Sequence, residues 1–345
     1  MRLLNIKGLR LKAVAAALPD RMEHNYDLID GYKEYEIERI CNMTGIFSRR
    51  TAPEGVTSID LMYKAVKKLL EITGYPIAKN DCIICVTQTP GYNIPGNSYI
   101  LCHKLNLGND VMALDINAGC PGFTHGLITM GKILDGKDIR NGILVVGDTL
   151  TKLISDKKDK FIYGDGAAAC LVSFNKEYKE SYACWKTVAE KYNKIISWGS
   201  YSACEELNSI KQTDHRTDVG FYMDGQEIFS FGIKEVPEII THTLAANKLK
   251  MDNIDLFAFH QPNRLIIDYI GKKLCIPHSK IPIYVDGIGS AGSASIPITL
   301  CRYAEAKGVK SLSGKLCFTG FGAGLSLSTM ILDVENMIVD PLTIT

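Results

Sequence analysis

Cys120 stands in the stretch LDINAGCPGFTHGL, Leu114 to Leu127, with Gly119 before it and Pro121 and Gly122 after it. A strand-like apolar run ends just upstream, and Pro121 suits the first turn of a helix. The glycines let the backbone turn sharply and let a substrate come close. The helix expected next, GFTHGLITMGKIL, is apolar nearly all round and therefore buried. A cysteine at the N-terminus of such a helix feels the positive end of the helix dipole, which favours thiolate and lowers the thiol pKa. Local sequence leaves two readings open: a thiolate nucleophile, or a small core residue.

A catalytic thiolate needs a base or donor partner. LFAFHQPNRLII places His260 at the C-terminal end of a strand, the edge at which open α/β sheets bind ligands. Taken alone, this histidine also fits a structural role. DGIGSAGSASIP, Asp286 to Pro297, packs glycines and serines ahead of a helix, as close backbone packing beside a ligand requires. GFGAGLSL, Gly320 to Leu327, offers backbone N–H groups with little side-chain bulk, suited to an oxyanion. Each glycine-rich turn is a weak signal by itself.

Alternating strands and helices position these residues. DCIICVTQ, VMALDIN, NGILVVGDT and AAACLVSF read as strands, with helices over Ile59–Ile72 and Pro121–Leu134. In the second half FSFGIKEVPEIITHTLAAN, NRLIIDYIGKKLCI and SIPITLCRYAEAKG read as helices, the last stopped by Gly308. IDLFAFH and IPIYV read as strands, and KLCFTGFGAGLSLSTMILDV as two strands joined by a glycine-rich connection. Apolar strands separated by helices predict an α/β architecture with a duplicated core. The expected organisation is an N-terminal half over 1–175, a variable connection or lid over 176–220 and a C-terminal half over 221–345.

The 345 residues, 46% hydrophobic and 22% charged, suit a soluble globular chain of one large or two smaller domains. A net charge of +1 gives no reason to expect capture of nucleic acid or of an anionic membrane. The 11 cysteines are scattered through apolar runs, which suits a reducing cytosol rather than a disulfide framework. Cys82 and Cys85 have metal-site spacing, but no second pair follows and both fall in a strand-like run, so no metal is expected. RLKAVAAALP superficially resembles a signal segment, yet charges and a proline interrupt it. No apolar run reaches the ~18–20 residues of a membrane span. The expected location is the cytoplasm.

Together, DINAGCPGFTHGL, YGDGAAACLV, HQPNRLI, YMDGQEIFSF, GSASIPITL and GFGAGLSLS occur in the order found in the β-ketoacyl-ACP synthase III family of thiolase-fold condensing enzymes, which the chain resembles from about Ile6 to Val334. The resemblance fails mainly over Tyr182–Val219. It implies a thiolase-like fold of duplicated α/β halves in a layered α-β-α-β-α core, and a homodimer. It implies that Cys120 takes an acyl group from acyl-CoA or an acyl carrier protein, and that a malonyl-type thioester then decarboxylates and condenses with it, without a cofactor. His260 would donate to the thioester carbonyl, and the N–H groups of Cys120 and Ala323 would form the oxyanion hole. Ile94, Asn263, Gly322 and Gly324 would contact substrate. Ile94 stands where a bulky aromatic often gates the acyl tunnel, which implies a roomier pocket.

Two departures matter. Counting back from SIP, Ser290 occupies the position of the family's asparagine, whose carboxamide is the second enolate donor. A serine hydroxyl also donates but reaches less far, with Ser293 the fallback if the loop slips. This leaves acylation intact and opens a second reading, a Cys-dependent acyltransferase to an amine or hydroxyl without decarboxylation. Arg39 and Met43 stand where better-known members hold the CoA adenine with tryptophan and arginine, so the adenine site is absent or rebuilt; Arg49, Arg50 and Arg264 are candidates for phosphates or plain surface residues. Thiolase itself fits poorly, because Cys317 lies too far upstream of the last glycine-rich turn. A non-catalytic partner subunit would be expected to lose Cys120 and His260, and this chain keeps both.

Overall fold

The computed structural model describes residues 1–28, 31–134, 136–154, 157–198 and 220–344. Its strands are β1 (Arg2–Ile6), β2 (Leu9–Leu18), β3 (Met22–His24), β4 (Ser48–Arg50), β5 (Cys82–Thr87), β6 (Met112–Asn117), β7 (Asn141–Thr149) and β8 (Asp165–Phe174). There follow β9 (Ser181–Thr187), β10 (Ile195–Trp198), β11 (Gly220–Met223), β12 (Leu256–Phe259), β13 (Ser311–Gly322), β14 (Ser326–Val339) and β15 (Thr343–Ile344). Helices are α1 (Glu34–Thr44), α2 (Ser58–Thr73), α3 (Asn97–Lys104), α4 (Gly122–Ile133), α5 (Lys157–Lys160), α6 (Gly225–Ala246), α7 (Arg264–Lys273) and α8 (Ser295–Lys307).

The duplication shows in strand direction. β5 is parallel to β7, β7 antiparallel to β8, and β8 antiparallel to β2. The C-terminal half repeats this: β12 is parallel to β13, β13 antiparallel to β14, and β14 antiparallel to β9. Ile338 and Val339 of β14 pair with Ala13 and Val14 of β2 and join the halves. Between the halves lie α4 and α8, whose Phe123, Leu127, Ile296 and Leu300 share one core with Val14 of β2 and Met330 of β14. On the outside, α2 packs Leu61, Met62 and Val66 over the N-terminal strands. α6 and α7 pack Ile239, Ile240, Ile267 and Ile270 over Phe257 and Phe259. The layers run α-β-α-β-α, as expected of a thiolase-like fold.

The segment with a signal-like look is β2. Val14, Ala16 and Leu18 face the central layer and Ala13, Ala15 and Ala17 the outer one. A strand buried on both faces reads as one apolar run, which is why it mimics a leader. Cys82 and Cys85 lie buried in β5, and Cys317 in β13. Gly308 ends α8 in the left-handed region, φ 64°, as its place predicts.

One expected strand does not form. Ile281–Val285 makes no ladder. Pro282 has no N–H, and the Gln261 side chain takes the ladder's place, donating to the carbonyls of Phe259 (3.0 Å) and Pro282 (3.2 Å) and accepting from the Tyr284 N–H (3.1 Å). Of the connection expected over 176–220, residues 181–198 include β9, which lies in the main sheet between β1 and β14, and β10, which pairs with β11. Residues 199–219 lie outside the described residues. No helix among the described residues is long and apolar enough to cross a membrane.

Phe123 is fully buried at the start of α4 and meets Phe318 edge-on, ring centroids 5.6 Å apart. Phe123→Ala should cost about 3–5 kcal/mol, read from the denaturant midpoint of the purified variant.

Candidate active site

Cys120 sits one residue ahead of the cap of α4, where β6 hands over to the central helix. The site is built by close approach of two backbones. Gly322, φ 154°, comes so near that a Cβ there would lie 2.5 Å from the Cys120 Cβ and 3.1 Å from its Sγ. Gly320 passes Pro121 just as closely, a Cβ there falling 2.8 Å from the Pro121 Cα. On the other side, a side chain at Gly119 would overlap Gln88. The backbones of Cys120 and Ala323 lie beside the Cys120 sulfur and favour its thiolate form.

A cavity of about 100 Å³ opens onto this sulfur. His260, Ser290, Asn263 and Gly322 line it, together with Tyr163, Phe321 and apolar residues that include Ile162, Ile228 and Ile266. Of the sequence-derived residues, Cys120, His260, Ser290, Asn263 and Gly322 thus meet at one place. Ala323 and Gly324 border an adjoining cleft with Gly119 and Gln88. Ile94 is absent from the cavity's walls and is 87% exposed. Asn263 caps α7, its carbonyl oxygen accepting from the Ile266 N–H at 3.0 Å.

His260 is buried at the end of β12, with Nδ1 2.7 Å from the Ser295 hydroxyl and its ring edge-on to Phe321 at 5.5 Å. That leaves Nε2 as the atom able to face a substrate. Burial pushes its pKa down to about 3, against a smaller opposing pull from the Gly292 backbone. The two serines separate cleanly. Ser290 Oγ is buried in the cavity wall without a hydrogen-bond partner among the described residues, whereas Ser293 Oγ is committed to the Asp148 carboxylate at 2.7 Å. Ser293 is therefore not available as the fallback donor.

The expected lowering of the Cys120 pKa is reversed. Burial pushes the thiol up to about 12, the nearby Asp148 carboxylate adds to this, and the two backbones only partly offset it. Desolvation of a thiolate outweighs a helix end that begins after the residue. Arg49 is neither a surface nor a phosphate residue. It is 2% exposed, and its guanidinium donates to Asn25 Oδ1 (2.8 Å), the Tyr163 carbonyl (3.0 Å) and the Glu23 carboxylate (3.2 Å). Arg39, Met43 and Arg264 are exposed, and Arg264 lies over Gly45.

Sequence reading passed over Tyr163, Asp148 and Ser295. Tyr163 belongs to the quoted YGDGAAACLV motif. Asp148 is a lone acid near the C-terminal end of an otherwise apolar strand, which is a usable signal. Ser295 is recognisable only once α8 is placed against β12.

Residues 114–193 match the family described as 3-oxoacyl-[acyl-carrier-protein (ACP)] synthase III, and residues 244–334 its C-terminal part. The chain is 30% identical over 335 residues to a β-ketoacyl-[acyl-carrier-protein] synthase III of Lactobacillus helveticus, covering 95% of this chain and 99% of that one. It is 31% identical over 300 residues to the enzyme of the same name from Streptococcus agalactiae, covering 86% and 90%. The crystal structure of a 3-oxoacyl-(acyl-carrier protein) synthase from Burkholderia xenovorans superposes with a TM-score of 0.94 at 26% identity, covering 99% of both chains.

Two pH effects follow from burial. With its pKa near 12, Cys120 should be alkylated by iodoacetamide far more slowly than the exposed Cys275 at pH 8, its rate still climbing with pH; peptide mass spectrometry separates the two sites. His260 and His125, the latter buried and stacked on Trp185, both have folded pKa values near 3, below the unfolded 6.5. Below about pH 6.5 the unfolded chain takes up protons that the folded one refuses, so stability falls with falling pH. The slope approaches about 1.4 kcal/mol per pH unit for each histidine, and denaturant titrations between pH 7 and 4 measure it.

Proposed function

The chain belongs to the 3-oxoacyl-[acyl-carrier-protein] synthase III family, and from that premise we propose that it condenses acyl thioesters through Cys120. The observation that carries the reading is the convergence of the Cys120 sulfur, His260 and the Ser290 hydroxyl, unpartnered among the described residues, on one small cavity, with the Ala323 backbone beside the same sulfur. In the first half-reaction the Cys120 sulfur attacks the acyl carbonyl of a thioester. The N–H groups of Cys120 and Ala323 receive the developing oxyanion, and the carrier thiol leaves with the proton given up by Cys120. A positioned oxyanion donor is worth ~3 kcal/mol of barrier. Because burial raises the thiol pKa, attack in which the proton leaves with the forming bond is favoured.

In the second half-reaction a malonyl-type thioester loses CO2, and the resulting carbanion attacks the acyl-enzyme, giving the 3-oxoacyl thioester and expelling the Cys120 thiolate, which takes a proton from solvent to return to the thiol. His260 Nε2 and the Ser290 hydroxyl are the donors to the enolate oxygen. Both are buried, and a hydroxyl without a protein partner gains most from a substrate oxygen. The shorter reach of Ser290 keeps a second reading in play, in which the acyl group passes to an amine or hydroxyl without decarboxylation.

The donor would be an acyl carrier protein or acyl-CoA, in the cytoplasm, with no cofactor or metal required. The working unit would be a homodimer. Edge strand β6 leaves Met112 and Leu114 exposed, and Tyr92, Ile94 and Tyr99 are exposed too, which supports a second copy on this side and an Ile94 contributed across the interface.

Intact-protein mass after incubation with a panel of acyl-CoA and acyl-carrier thioesters should show an acyl adduct on the wild type and none on Cys120→Ala. Addition of malonyl-ACP should then discharge the adduct with release of CO2; discharge only by amines or alcohols selects the second reading. Ser290→Asn should raise malonyl decarboxylation by about tenfold. An unchanged rate removes Ser290 from the enolate site.

A further inference from the structure

Asp148, close to the C-terminal end of β7, is fully buried and receives five hydrogen bonds. Its Oδ1 accepts from Thr87 Oγ1 (3.0 Å), the Gln88 N–H (2.9 Å) and Thr89 Oγ1 (3.2 Å). Its Oδ2 accepts from the Ser293 N–H (3.0 Å) and Ser293 Oγ (2.7 Å). One oxygen therefore serves the N-terminal half and the other the C-terminal half. Thr89 Oγ1 also accepts from the Thr149 N–H at 2.9 Å, which closes the network back onto β7.

We propose that Asp148 is a positioning residue of this active site: its carboxylate fastens the 290–293 loop of the C-terminal half to the end of β5, Thr87–Thr89, in the N-terminal half, the segment whose Gln88 packs against Gly119 of the nucleophile turn. The fit on both sides is tight. Gly292 stands at φ 52°, and a Cβ there would lie 2.5 Å from Asp148 Oδ2. Ser293 abuts the first residue of α4, since a Cβ on Gly122 would fall 2.9 Å from the Ser293 Cβ. The other end of the loop is fixed by Ser290, whose N–H donates to the Ile162 carbonyl (2.8 Å) and whose carbonyl accepts from the Gly164 N–H (3.1 Å). Asp148 thus sets where Ser290 and the Gly292 backbone beside His260 stand relative to Cys120.

A carboxylate is required at this position. Five donors converge on two oxygens, and an asparagine has only one acceptor oxygen, so its NH2 would face donors from one half or the other. The carboxylate's charge also acts on the nucleophile, adding to burial in raising the Cys120 pKa. The other titratable groups around the sulfur are His260 and Tyr163, which share its cavity; burial holds the imidazole neutral and pushes the phenol well above its usual range.

Ser293→Ala and Asp148→Asn in the full-length chain test this, each checked for cooperative thermal unfolding. The condensation readout rests on the function proposed above, and the alkylation readout does not. Ser293→Ala removes one tether on the loop side, at a residue outside the wall of the Cys120 cavity. It should leave acyl loading of Cys120 within about twofold and slow condensation with malonyl-ACP by about tenfold. Asp148→Asn should in addition shift the pH dependence of iodoacetamide alkylation at the Cys120 peptide about one unit lower. Equal loss of both half-reactions in Ser293→Ala, or loss of neither, overturns the positioning role. So does an Asp148→Asn alkylation profile that overlays the wild type. Should Asp148→Asn fail to fold, Ser293→Ala decides; should the wild type not condense at all, the function fails and the alkylation profile still decides Asp148.

Discussion

The contact on which the chemistry depends is the crossing of two glycine-rich turns, Gly119–Gly122 from one half of the chain and Gly320–Gly324 from the other. At Gly322 there is no room for a Cβ, because the Cys120 side chain occupies that space. This closeness sets the Ala323 backbone beside the same sulfur as the Cys120 backbone. Neither half alone supplies both. The central layer, with α4 and α8 packed between the two sets of strands, exists at this spot to hold the turns in register.

The same place is buried from bulk solvent, and the titratable groups bear the mark of that burial. Cys120 is held as a thiol, His260 as a neutral imidazole, and the Asp148 carboxyl is raised by burial although several hydrogen bonds pull it back. Burial of this kind makes each remaining donor count for more, since a hydrogen bond is stronger at low local dielectric. It also favours acylation in which the proton moves with the attacking sulfur, because burial raises the Cys120 pKa.

The duplication explains where the parts lie. α4 and α8 take equivalent places between the halves, one following the nucleophile and the other following the Ser290–Ser293 loop. β5 and β12 are likewise equivalent, and His260 directly follows β12. The copies have diverged where the site needs it. In the N-terminal half β6 continues the ladder beside β5, whereas beside β12 the Gln261 side chain replaces the ladder along Pro282–Tyr284. Gln261 sits next to His260, so a residue in the histidine motif braces the chain that leads to Ser290.

Much was legible in the sequence. Periodicity located α2, α4, α8 and most strands, because a helix or strand buried along its length must repeat its apolar residues at its own period. The ordered motifs brought out Cys120, His260 and Ser290, which do meet in one cavity. Three features were decided only by the tertiary structure. The sign of the Cys120 pKa shift depends on how much water burial removes, and spacing along a chain does not encode that. The choice of Ser290 over Ser293 turns on Asp148, 145 residues away from Ser293 in sequence, taking up the second hydroxyl. Arg49 reads as a surface cation until Asn25, Glu23 and the Tyr163 carbonyl are folded around it. Local pattern records which residues must be buried; which polar atoms find each other inside is fixed by long-range packing.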